Sequence, residues 1–243
     1  MQSDSTSHSP VRVILADDHT LLRQALRLLL EQRPEVTVVG EAADGHQAVA
    51  LVERLHPDVV LMDINMPLLN GIEATRQIVK RHRGTRVIVV SAYSERQQLV
   101  DAVRAGAAGY LVKRSDVEEV LLAIRMVRQG NPYFSAELAG SMDITEVMFE
   151  AHSGAGRSAA DVLTPREKEV VQLLAEGFTA KTSAEKLVVS EKTVEGHCAR
   201  AMKKLGVRTR ADLVREAIRH GIVGFRETDA PEPLQSPGGA GRA

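Results

Sequence analysis

Five side chains stand where this sequence could do chemistry: Asp17 and Asp18 after "VRVILA", Asp63 closing "DVVLMD", Ser91 in "RVIVVSA", and Lys113 after "AGYLV". Carboxylates brought together repel one another, so at neutral pH they need protons or a cation to stay there. A hard divalent ion is the economical solution. Mg2+ takes oxygen ligands, retains several waters, and commonly meets one or two carboxylates plus a phosphate. Asp17 and Asp18 are therefore expected to hold Mg2+, and Asp63 to act as a nucleophile toward phosphorus, forming an aspartyl phosphate. Lys113 would stabilise charge on the transferring oxygens beside the metal, and Ser91 would hydrogen-bond a phosphoryl oxygen once it arrives. One acid at a strand end is commonly a helix cap or a solvated charge. Only the conjunction points to chemistry.

The elements that must position these groups are legible. Five apolar runs ("VRVILA", "VTVVGEA", "DVVLM", "RVIVVSA", "AGYLV") alternate with patterns such as "LLRQALRLLLEQ" and "GIEATRQIVKRH", whose apolar residues recur at three- and four-residue steps. Five βα repeats with continuous apolar strands predict a parallel sheet covered on both faces, with right-handed crossovers. In such sheets ligands gather beyond the carboxyl ends of the strands, where strand order reverses. All five candidates fall at those ends. His19 reads as a loop residue, since neither HExxH nor paired His/Cys spacing supports a zinc site.

Residues 11–130 resemble a response-regulator receiver domain, through "DD" at 17–18, "DINMPLLNG" at 63–71, "VVSA" at 89–92 and "GYLVK" at 109–113. The resemblance implies a five-stranded, doubly wound α/β domain of flavodoxin-like order. It implies Mg2+ bound by Asp17, Asp18, Asp63 and the backbone carbonyl of Asn65, with Asp63 phosphorylated by a sensor histidine kinase. It also makes Ser91 and Tyr110 a switch pair, the hydroxyl moving toward the phosphoryl group and the ring following inward. Pro67 and Gly71 would shape the loop after Asp63.

Residues 162–224 predict an all-α domain of four short helices. Thr164 and Glu167 form a capping box with Pro165 at the first helical position, and that helix runs to about Glu176. A second helix starts near Thr179, Ser190 caps a third that ends at Gly206, and a fourth runs from about Thr209 to His220. The tight turn between the second and third makes a helix-turn-helix. On the third helix Val194, Cys198, Ala201 and Leu205 follow an inward spacing, leaving Lys192, Glu195, Gly196, Ala199, Arg200 and Lys203 outward. A partly cationic face suits a major groove, although Lys and Arg on a helix surface are usually just solvated. The segments "LTPREKEVVQLLAEG", "SEKTVEGH" and "KKLGVRTRADLVREAIRHG" resemble the LuxR-type DNA-binding domain, and together with a receiver they are similar to the NarL/FixJ class of transcription regulators. By that resemblance Lys192, Thr193, Glu195, Gly196, Ala199, Arg200 and Lys203 face double-stranded promoter DNA, and the fourth helix, around Leu213, Val214 and Ile218, pairs two copies. Glu195 is acidic where some members of that family carry Lys, and it could accept from a cytosine amino group. "AKTSA" at 180–184 departs from the family pattern, putting Ser183 where a buried aliphatic residue is expected. An unpartnered hydroxyl there costs roughly 1–3 kcal/mol, whereas a bond to a carbonyl one turn back is nearly harmless.

Composition agrees with this division. The chain has 243 residues, 44% of them hydrophobic, and a net charge of -1. Residues 162–224 carry twelve basic against eight acidic side chains, while 134–161 carry one against five. The latter charge and "HSGAGRSAA" predict a linker over 131–161, and "FRETDAPEPLQSPGGAGRA" predicts a disordered tail over 225–243. A single cysteine, Cys198, excludes an intramolecular disulfide, and it reads as a small buried apolar residue rather than a redox sensor. With a polar start and no apolar run near 20 residues, a cytoplasmic protein with no membrane partner is expected. The expected function is a phosphorylation-controlled transcriptional regulator, not an enzyme, that dimerises when phosphorylated, with RNA polymerase as a further partner. The alternative is a receiver-based protein-interaction module whose second domain no longer reads DNA. An aspartyl-phosphate phosphatase or mutase is disfavoured by Asn65, where such enzymes typically carry a second acid.

Overall fold

The computed structural model describes residues 9–92, 94–153, 162–219 and 222. The first domain runs β1 (Val11–Ala16), α1 (Thr20–Glu31), β2 (Val36–Ala42), α2 (Gly45–Leu55), β3 (Val59–Asp63), α3 (Gly71–Arg81), β4 (Arg86–Ser91), α4 (Arg96–Ala105), β5 (Gly109–Val112) and α5 (Val117–Arg128). All strand pairs are parallel, in the order β2-β1-β3-β4-β5, with a short sixth strand, β6 (Tyr133–Phe134), beside β5 at the edge. Order reverses between β1 and β3, and that is where Asp17 and Asp63 emerge. The register sets Asp63 opposite Val90 and Ser91 opposite Val112, so the functional ends finish level.

Alternate strand residues feed two cores. Val13, Leu15, Leu61 and Leu111 pack with Leu30 of α1 and Ile124 of α5 on one face. Ile14, Val60 and Met62 pack with Val52 of α2 and Ile78 of α3 on the other. The helix starts follow from local chemistry: Asp44, Asn70 and Asp116 each accept a backbone N–H three residues ahead.

The sheet has six strands where five were expected. β6 (Tyr133–Phe134) extends β5, and it is followed by α6 (Ala136–Ser141) and α7 (Ile144–Ser153). Two residues are too few for an alternating pattern to announce a strand. The stretch expected as a linker thus carries three elements, and Leu138 and Val147 within it are fully buried against α4 and β5. Its small-residue part, 154–161, lies outside the described residues, as does the tail expected over 225–243.

The second domain consists of α8 (Pro165–Ala175), α9 (Ala180–Leu187), α10 (Glu191–Leu205) and α11 (Arg210–Arg219). Thr164 and Glu167 make the reciprocal capping box, and Ser190 accepts from the Thr193 N–H. Gly206, at φ 69°, closes α10 in the left-handed conformation that costs glycine least. Val170, Val171, Val194, Cys198, Ala201 and Leu213 form a separate core. His220 lies outside the described residues.

The two domains meet through polar contacts. Gln172 of α8 donates through Nε2 to the Met66 carbonyl at 2.8 Å, while its Oε1 accepts the Asn70 N–H at 3.0 Å. The Asn70 side-chain amide donates to the Ile222 carbonyl at 2.8 Å, and Lys168 lies 3.3 Å from buried Glu73. The three receiver-side residues, Met66, Asn70 and Glu73, sit on the loop leaving Asp63 or on the first turn of α3.

Candidate functional site

At the carboxyl edge of the sheet the Lys113 ammonium bridges two carboxylates, 2.9 Å from Asp17 Oδ2 and 2.9 Å from Asp63 Oδ2. Asp63 is 2% exposed, because it closes the central strand between β1 and β4. Burial pushes its carboxyl above the ordinary 3.8 and the Asp17 charge adds to this, while Lys113 and the Asn65 N–H pull it down. Burial pulls Lys113 downward, but Asp63 and Asp17 outweigh it, so the ammonium is held above its ordinary value. The site therefore keeps a fixed positive charge against a buried oxygen nucleophile.

Asp17, Asp18, His19 and Asp63 each offer a ligand atom within 4.8 Å of the others. His19, expected as a loop residue, stands at the N-terminus of α1 with Nδ1 3.1 Å from Asp17 and 3.0 Å from Asp18. The carboxylate oxygens, drawn from three separate aspartates, match the hard-ligand preference of Mg2+. The residues present fit such an ion. Arg23, which carried no signal in the sequence, braces the rim by donating to the Asp17 carbonyl at 2.5 Å and to Glu41 at 3.0 Å.

The loop from Asn65 to Asn70 is held against Asp63. A Cβ at Gly71 would lie 1.9 Å from the Asp63 carbonyl oxygen, so glycine is needed there for close approach, not for an unusual φ. Leu68 sits at φ 68°, a strained position for a branched side chain in a loop beside the acceptor. Ser91 and Tyr110 are buried, and burial pushes the Tyr110 phenol up to about 12 against the opposing influence of the Ser91 hydroxyl beside it. Gln98 of α4, also missed in the sequence, accepts from both.

On α10, Lys192, Thr193, Glu195, Ala199, Arg200 and Lys203 are exposed and Gly196 is half-buried. The face expected to meet DNA is thus open to solvent, and the receiver docks on α8 instead. Two of its members are engaged within the domain: Thr193 Oγ1 is 2.7 Å from Ser190 Oγ, and Arg200 is 2.9 Å from His197 Nδ1. Leu213, expected on the pairing surface of α11, is buried in its own domain's core, whereas Val214 and Ile218 are half-buried. The reason is helical spacing: Leu213 and Ala217 share the inward stripe. Ser183 is fully buried, and its hydroxyl has no hydrogen-bond partner among the described residues. Cys198 is buried, which pushes its thiol up and disfavours the reactive thiolate. No helix among the described residues is long and apolar enough to cross a membrane.

Residues 13–125 match the model of the response regulator receiver domain, and residues 161–217 match that of the bacterial regulatory proteins of the luxR family. The transcriptional regulatory protein DegU of Brevibacillus brevis is 33% identical over 237 residues, spanning 92% of this chain and all of its own. The nitrate/nitrite response regulator NarL of Escherichia coli K12 is 32% identical over 85% of this chain and 94% of its own. Among solved structures, RcsB of Salmonella enterica serovar Typhimurium, bound to promoter rprA with the phosphomimetic BeF3-, is 26% identical over 85% of this chain and 98% of its own, with a TM-score of 0.54. With a receiver and a LuxR-type domain both matched, this chain belongs to the NarL/FixJ class of response regulators, the DNA-binding transcriptional regulators of two-component systems.

Proposed function

We propose that Asp63 accepts a phosphoryl group from a sensor histidine kinase and that this event controls dimeric binding of α10 to promoter DNA. The observation that carries the reading is the Lys113 bridge, an ammonium 2.9 Å from both a rim carboxylate and the buried Asp63. As an Asp63 oxygen bonds phosphorus, the P–N bond of the donor phosphohistidine breaks. Lys113 then neutralises charge on the transferred oxygens, and the Ser91 hydroxyl donates to one of them. Asp17, Asp18, Asp63 and the Asn65 backbone carbonyl would hold Mg2+, which supplies further charge neutralisation of the phosphoryl group. The exposed Leu21 and Leu22 of α1, next to the acid pair, support the approach of a protein donor from that side.

The clasp at Gln172 supports a route for coupling. Its receiver half is the loop that leaves Asp63, so charge and packing changes at the acceptor reach the bonds that tether the second domain. Releasing α8 and the chain around Ile222 would free the DNA-binding domains to pair and occupy half-sites about one helical turn apart, or a multiple of it. RNA polymerase is a further partner at the promoter. The action is regulatory, with no turnover of an external substrate.

The test is labelling with acetyl phosphate and Mg2+, followed by footprinting of genomic DNA. Acid-labile phosphate appears in the unaltered chain and vanishes in Asp63→Asn, and footprints strengthen with the donor. Label retained in the variant overturns the acceptor assignment. Selection on random duplexes that enriches no palindromic site favours the protein-interaction reading.

A further inference from the structure

Ser91, Tyr110 and Gln98 come from three elements (the end of β4, the middle of β5 and the first turn of α4) and meet in one knot. Gln98 Oε1 lies 3.1 Å from the Ser91 hydroxyl and 3.4 Å from the Tyr110 hydroxyl. Ser91 and Tyr110 are each 1% exposed, so water offers no ready substitute for these partners.

A serine hydroxyl has one proton to donate. Gln98 Oε1, 3.1 Å away, is an acceptor for that proton. A phosphoryl oxygen on Asp63 requires the same proton, so the two acceptors compete for it. When Ser91 turns away, Gln98 keeps only the longer contact from Tyr110, and α4 or the phenol must move to shorten it.

The far side of α4 is occupied. Arg96 lies 3.3 Å from Glu146 and 3.0 Å from Glu150 of α7, and Arg104 donates to the Glu150 carbonyl at 3.3 Å. Val147 of α7 is buried in the same cluster as Tyr110, Leu99 and Val103. A displacement of α4 is therefore passed to the helix that precedes the DNA-binding domain.

We propose that Gln98 is a positioning residue of the switch: it holds the Ser91 hydroxyl away from Asp63 until a phosphoryl group takes that proton, and it transmits the exchange through α4 to α7. This rests on the reading of Asp63 as the acceptor. The experiment titrates the full chain with beryllofluoride and Mg2+ by calorimetry, comparing the unaltered protein with Gln98→Leu and Gln98→Met, each alone and combined with Ser91→Ala. Removing the competing acceptor tightens beryllofluoride binding by between about twofold and tenfold, the worth of one net hydrogen bond. The gain disappears when Ser91→Ala is present, which a merely structural role would not produce. Amide exchange over residues 144–153 rises on binding in the unaltered chain and is already raised in the Gln98 variants.

Unchanged or weaker binding in both variants, unfolding of both, or a gain that survives Ser91→Ala overturns this proposal alone. No binding by the unaltered chain overturns the acceptor reading and this proposal with it.

Discussion

Asp63 keeps an ionisable group where burial opposes its charge, and this has a signed consequence. Its folded-state pKa is raised, so the folded protein binds more protons than the unfolded chain across the interval that opens at the ordinary 3.8. Stability from this group is present below that interval and is lost as pH rises through it. Asp63→Asn therefore melts at a higher temperature than the unaltered protein at pH 7, and the difference narrows toward about pH 4. Thermal melts across that range check it. Ser183 is a second buried polar group, placed in the second domain's core with its hydroxyl unpaired among the described residues. Its backbone N–H makes the helical bond to Thr179, but the hydroxyl finds no carbonyl one turn back. Ser183→Ala stabilises that domain by about 1 kcal/mol, read as a higher urea midpoint at unchanged slope.

The turn of the helix-turn-helix stores strain of its own. Val188 caps α9 at φ 54° and ψ 49°, a left-handed conformation that a β-branched residue seldom adopts, and it is 89% exposed. Nothing in the core compensates for it. Val188→Gly raises the stability of the second domain by up to about 1 kcal/mol, the conformational penalty less the added flexibility of glycine. Denaturant unfolding gives the answer, and a loss of stability would show that the side chain contributes unseen packing. At the linker, negative charge and small residues masked the apolar spacing that places Leu138 and Val147 under α4. The six-residue α6 and two-residue β6 are too short for periodicity to reveal, and their identity follows from the edge of β5 that they cover.

The interdomain clasp includes one side chain that mimics a backbone amide. Gln172 offers a donor to Met66 and an acceptor to Asn70, and it is 3% exposed, so removing it leaves both backbone groups unpaired. Gln172→Ala weakens docking and raises the DNA affinity of the unphosphorylated chain by between about fivefold and a hundredfold, the usual range of coupling between sites. Quantitative footprinting without a phosphodonor checks this, and unchanged affinity would separate the clasp from regulation. Binding in either state falls steeply with salt, since Lys192, Arg200 and Lys203 would release counterions from phosphates. A titration between 50 mM and 200 mM salt yields the slope.

The sequence alone determined the repeated βα order, the helix-turn-helix and the set of groups at the strand ends. Each of these is written in local terms: apolar period, capping residues and turn chemistry. Asp17, Asp18, Asp63, Ser91 and Lys113 were legible because a parallel sheet necessarily brings its carboxyl ends to one edge. Tertiary structure alone decided that Lys113 bridges Asp17 and Asp63, that Gln98 holds Ser91 and Tyr110, and that Gln172 ties α8 to the loop after Asp63. A glutamine within "VVQLL" reads as an interruption of an apolar stripe, and only a second domain lying against it supplies the carbonyl and amide that make its burial favourable. The receiver partners of Gln172 lie 102 and 106 positions away, and no local period encodes a partner at that distance.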